Sequence, residues 1–169
     1  MLYYMGQGFG ILATLCCLAL PLFQKKPQML VTTILINLFC GLNLVLIGRV
    51  SSVITIYIIA VIQTFLSLRH IRQDTAVSRG EFIVFLLLYV CCGSLALKGP
   101  LDLLPVVGAV FHMLATFQRD VQKSRFWILL NASSFLVYYA LVGSTSALSS
   151  LCAIATTVFA LCRHNARQK

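Results

Sequence analysis

The sequence predicts an all-α integral membrane protein of seven transmembrane helices, set as two parallel three-helix repeats with a linker helix between them. Three observations predict it. Of 169 residues, 60% are hydrophobic and only 10% charged, against about 25% charged in a soluble domain. The cations fall into clusters at regular intervals along the chain. One frame is also written twice: "FQKKPQMLVTTILIN" from Phe23 returns as "FQRDVQKSRFWILLN" from Phe117.

The helices follow from the charge-free stretches, which cover 1–24, 27–48, 50–68, 82–97, 103–118 and 126–162. A spanning helix takes roughly 17–25 apolar residues, so the first five stretches give one helix each. The last is long enough for two and is broken at "GSTSA", 143–147. The stretches from Phe82 and Leu103 are the shortest. A β-barrel would alternate apolar and polar residues, and "FIVFLLLYVCC" (82–92) does not. Continuous apolar runs in lipid must pair their own backbone, as helices do.

The net charge of +9 has a sided distribution. With seven crossings and the N-terminus outside, Lys25, Lys26, Arg69, Arg72, Arg79, Arg119, Lys123, Arg125, Arg163, Arg167 and Lys169 share one side. Only Arg49 and Lys98 fall on the other. That bias orients the N-terminus to the periplasm and the C-terminus to the cytoplasm. The basic side is expected against anionic lipid headgroups, which leaves no patch for nucleic acid. The first stretch lacks a basic n-region and a small-residue cleavage site, so it is expected to stay as a helix. The seven cysteines all lie in predicted helices without C-x-x-C spacing and are expected as small packing residues.

Residues 23–70 slide onto 117–164 without a gap, giving eleven identities in 48 positions. They include Gln24/Gln118, Gln28/Gln122, Asn37/Asn131, Leu42/Leu136, Ser52/Ser146, Phe65/Phe159 and Arg69-His70/Arg163-His164. The units are 1–70 and 100–169, with a polar loop and linker helix in 71–99. One linker helix restores the second unit to the orientation of the first. The axis relating them then runs along the membrane normal, with binding sites expected near the midplane between the units.

Residues three and four apart share a helix face. Thr33, Asn37 and Cys40 share one in the second helix; Trp127, Asn131, Ser134 and Tyr138 share one in the sixth. Ser52, Thr55 and Gln63 of the third helix have the mates Ser146, Ser149 and Thr157 in the seventh. The candidate substrate-binding residues are therefore Asn37, Asn131, Trp127, Ser134, Tyr138, Gln63 and Thr157. An amide carries both donors and an acceptor, which suits a small polar solute, and the aromatic rings offer flat apolar contact. The same side chains serve equally as glue between membrane helices. Asn43 has no polar mate and is expected to pack.

Asp102, after "KGP", is expected to cap a helix. His112, the only mid-helix histidine, is expected to hydrogen-bond a neighbour. About 15 Å of helix separates the two, so they form no dyad. "GQGFG" follows no strand, and no phosphate loop, metal-ligand spacing or serine elbow appears. Neither an enzyme nor a cofactor is expected, and the lack of a buried carboxylate favours passive movement over proton coupling.

"GQGFGILATL", "TFLSLRH", "LLPVVGAVFHMLATF" and the "N…GS" pattern from Asn131 to Ser144 resemble the YgjV family of bacterial inner-membrane proteins over nearly the whole chain. That resemblance implies the bacterial inner membrane. More distantly, each unit resembles a SWEET or SemiSWEET (PQ-loop) unit: a small-residue helix, a basic loop, then two helices. Those carriers bind sugar through an asparagine in the third helix of each unit. The matching positions here are Ala60 and Ile154, and Pro21 and Pro105 do not match under the repeat. The resemblance therefore implies a SWEET-like architecture without the sugar site. The expected function is a facilitative carrier of a small polar solute by alternating access. The alternative is a non-transporting membrane scaffold or assembly factor, and a homo-oligomer is compatible with either.

Overall fold

Each apolar stretch becomes a helix, and the long last one becomes two. The computed structural model describes residues 2–20, 23, 25–48, 52–94 and 99–168, with side chains for all of these except 52, 53 and 163–168. Pro21, Gln24, Arg49, Lys98, Lys169 and the side chains of Ser52, Arg163, His164 and Arg167 lie outside that description. The helices are α1 (Leu2–Ala19), α2 (Lys26–Leu46), α3 (Ser52–Arg72), α4 (Arg79–Ser94), α5 (Leu103–Phe117), α6 (Val121–Val142) and α7 (Ser146–Gln168). A 3-10 turn, Pro100–Asp102, leads into α5.

Five segments are long and apolar enough to cross a membrane: Leu2–Ala19, Lys26–Leu46, Ile54–Arg72, Pro100–Phe117 and Val121–Val142. Ser146–Cys162 is a shorter apolar helix, and α4 has 16 residues. Solvent preference is inverted relative to a water-soluble protein. Leu15, Leu141 and Phe159 are 57%, 60% and 65% exposed, while Asn43, Gln63 and Thr64 are wholly buried. Water would penalise so large an apolar exterior. Lipid does not, and there polar side chains gain by turning inward to partners.

Six helices close a ring. α1 packs on α2, α2 on α3, α3 on α5, α5 on α6, α6 on α7, and α7 returns to α1. α2 therefore stands opposite α6. α4 lies outside the ring against α3 and α5. It buries Phe85, Tyr89 and Gly93, and Gly93 is needed because a Cβ there would strike the Val106 side chain.

Two boundaries differ from the charge-free stretches because helix caps set them. α4 opens before Phe82: the Ser78 hydroxyl accepts from Glu81 N at 3.1 Å and the Glu81 carboxylate accepts from Ser78 N at 2.9 Å, a reciprocal capping box. α6 opens at Val121, well before Phe126, because Asp120 Oδ1 accepts from Gln122 N at 2.7 Å. The carboxylate of Asp102 accepts from Gly99 N at 3.2 Å, three residues upstream, and so braces the 3-10 turn ahead of α5.

Lys26 departs from the expected basic surface. It is 8% exposed, and its ammonium donates to Ala115 O at 2.9 Å and to the Ser124 hydroxyl. The Ser124 hydroxyl also donates to Ala115 O at 2.7 Å. Lys26 thus reaches from the start of α2 to the C-terminal end of α5, where helix carbonyls lack partners and favour a cation.

Candidate functional site

The six ring helices line a half-open cavity of about 80 Å³. α2 supplies Asn37 and Cys40, one turn apart, and α6 supplies Asn131, Phe135 and Tyr139 from the opposite side. α5 adds His112, α3 adds Tyr57 and Ala60, α1 adds Cys17, and α7 adds Ser149 and Ser150. Asn37 and Asn131 stand near the middle of α2 and α6, which sets the cavity at mid-depth. Among the described residues, no Asp, Glu, Lys or Arg lines it.

The polar groups of the wall are partly held by the protein. The Asn131 amide donates to Gly108 O of α5 at 2.8 Å. Gly108 permits that approach, since a Cβ there would lie 2.7 Å from the Phe135 ring. His112 Nε2 lies 3.2 Å from Thr64 Oγ1 and 3.5 Å from the Asn37 amide nitrogen. The Ser149 hydroxyl donates to Gly10 O at 3.2 Å and meets Thr14 Oγ1 at 2.9 Å.

Of the seven candidates read from the sequence, the structure brings Asn37 and Asn131 to this cavity and places the other five elsewhere. Gln63 faces α5 and α4: its amide donates to Thr116 Oγ1 at 2.7 Å and its oxygen accepts from Tyr89 OH at 2.7 Å. Trp127 stacks on Phe111 with ring centroids 5.9 Å apart. The Ser134 hydroxyl returns to Leu130 O at 3.1 Å. Tyr138 packs in the apolar cluster with Leu44 and Tyr139. Thr157 is buried beside Leu20, Met29 and Arg125, around a void of about 10 Å³.

Asn43, expected to pack, has a larger role, and so does His112, expected to hydrogen-bond a neighbour. His112 lines the cavity, as its place in the middle of an apolar helix allowed. Asn43 forms a buried hub. It donates to Gly6 O at 2.8 Å and accepts from Ser144 and Ser146 hydroxyls at 2.7 and 3.0 Å. Gly6 and Gly10 in "GQGFG" let α1 approach this close. A Cβ on Gly6 would meet Leu46 and Ile47 at about 3 Å, and one on Gly10 would overlap the Thr145 hydroxyl. The signal was a small-x-x-x-small spacing.

A lipid-facing apolar exterior around a buried polar centre defines a helical membrane protein with an internal cavity at mid-depth. Over residues 4–168 the chain matches the family model Imp-YgjV, described as a bacterial inner membrane protein. The chain belongs to that family. No curated protein and no solved structure matches it.

Proposed function

We propose that this protein is a facilitative carrier that moves a small polar solute by rocking two three-helix halves, 1–70 and 100–169, about a central site. The observation that carries this reading is the cavity to which all six ring helices contribute, with Asn37 and Asn131 facing it from opposite sides. The ring supports it as well. Exchanging α1, α2 and α3 for α5, α6 and α7 turns its sequence of neighbours into itself. The starts of α3 and α7, Ser52 and Ser146, keep the 94-residue offset of the repeat. Polar ties join the halves at both ends of the ring, Asn43 to Ser144 and Ser146 at one end and Lys26 to Ala115 and Ser124 at the other. An alternating-access carrier is built in this way, with a polar centre between contacts that can break at each mouth. The sided cations support a periplasmic N-terminus and a cytoplasmic C-terminus.

The test is solute-driven swelling of proteoliposomes followed by light scattering. Replacing both Asn37 and Asn131 by Leu abolishes flux while the helical spectrum and melting temperature stay close to those of the parent. Undiminished flux in that variant discards the site. A static scaffold is favoured by one observation: His112, Asn131 and Ser149 of the centre are each already bonded within the chain. It predicts no flux for any solute tried.

A further inference from the structure

Proton counting in the cavity wall says what kind of solute it receives. Thr64 Oγ1 carries one proton and lies 2.6 Å from Ala60 O, so that proton is spent on its own helix. His112 Nε2, 3.2 Å from the same hydroxyl oxygen, must then donate to it. A neutral imidazole that is protonated on Nε2 has a bare lone pair on Nδ1. Nδ1 has no hydrogen-bond partner among the described residues, although the side chain is only 8% exposed. The Asn37 amide nitrogen, 3.5 Å from Nε2, would set one donor against another. The amide oxygen therefore belongs on that side, and the NH₂ turns away from the ring. Asn131 donates one N–H to Gly108 O and keeps the other, and its oxygen has no partner among the described residues. The Ser150 hydroxyl, also in the wall, makes no hydrogen bond to any described residue.

The wall thus offers acceptors, His112 Nδ1 and Asn131 Oδ1, and donors, the Asn37 NH₂ and the second Asn131 N–H, beside a hydroxyl that can act either way. Among the described residues it holds no charge, so an ion would shed its hydration there without a counter-charge. Lys26, at the basic end of the ring, is already held by Ala115 and Ser124. Size is also restrictive. A cavity of about 150 Å³ takes the six carbons of benzene, so 80 Å³ suits a solute of about three or four non-hydrogen atoms.

We infer that the cavity binds an uncharged solute of that size carrying both an acceptor and N–H or O–H donors, the class of urea, acetamide and ethylene glycol, with His112 Nδ1 accepting from it. Binding stands on the wall alone; translocation rests on the carrier reading above.

Two substitutions separate recognition from packing. His112→Gln keeps a donor near the Nε2 position for Thr64 and removes the δ acceptor. His112→Asn keeps an acceptor near the δ position and loses the Thr64 contact. The probe is acetamide, followed by the ¹⁵N resonance of His112 Nδ1 in nanodiscs, with swelling assays in liposomes run on acetamide, formate and glucose. A saturable Nδ1 shift is expected, with acetamide flux but no formate or glucose flux. His112→Gln is expected to cut acetamide flux about fivefold, the order of one hydrogen bond, with its melting temperature held. His112→Asn is expected to do the reverse, losing thermal stability while retaining flux. The inference is overturned if no saturable shift occurs, if His112→Gln carries acetamide at the parent rate, or if formate or glucose passes as readily. A saturable shift with no flux of any solute sinks the carrier reading and leaves the binding site standing.

Discussion

Two buried tyrosine hydroxyls make opposite predictions. Tyr89 donates to Gln63 Oε1 at 2.7 Å, and Gln63 is wholly buried. Tyr89→Phe strands that oxygen and is expected to cost about 1–3 kcal/mol, read as a lower melting temperature in detergent. Tyr139 OH is buried without a hydrogen-bond partner among the described residues. Tyr139→Phe removes an unsatisfied group and leaves the ring contact with Phe135, so it is expected to stabilise the protein by about 1 kcal/mol. A fall in melting temperature for Tyr139→Phe would show that the hydroxyl is engaged in the membrane. Not all of this was legible from residue type. Asn37 and Asn131 stood out because each sits mid-helix and one repeats the other. Asn43 and His112 did not, because their partners lie far away in the chain: Ser146 is 103 residues from Asn43 and Asn37 is 75 from His112.

At the scale of the helix, ends are set by caps and interiors by apolar runs. Asp120 opens α6 through Gln122 N and Lys123 N. Asp120→Ala is expected to cost about 1 kcal/mol, and hydrogen exchange in the first turn of α6 should rise while the rest of the helix keeps its protection. α6 closes on Gly143 at φ 72°, where Ser144 N reaches Tyr139 O at 3.0 Å and Gly143 N reaches Ala140 O at 3.4 Å. This left-handed closure fits glycine and satisfies the last carbonyls. "SRGE" and "RDVQ" were readable as helix starts, yet the charge-free stretches placed those starts several residues late. Caps are polar, so a search for uncharged residues stops short of them.

For the whole molecule, the decisive quantity is the number of crossings. If all seven helices span, the two chain ends lie on opposite faces. Reporter fusions at each end are expected to report the periplasm for the N-terminus and the cytoplasm for the C-terminus. Both ends on one face would remove the parallel arrangement of the halves, and with it the carrier reading. Lys26 belongs to this scale too. The sequence counted it among surface cations, whereas the fold turns it inward to the end of α5, and a sum of charges cannot distinguish a cation facing headgroups from one tying two halves together.

The sequence by itself determined that the chain is helical, that its solvent is lipid, where the chain turns between helices, and which family it resembles. Each of these depends on composition or spacing within about twenty neighbouring residues. Only the tertiary structure decided which polar groups meet. A sequence gives the angle of a side chain around its own helix, about 100° per residue, but not the rotation of that helix in the ring. Gln63 could have faced the centre with Asn37, but the set of α3 turns it to Thr116 and Tyr89. The set of α5 turns His112 inward instead.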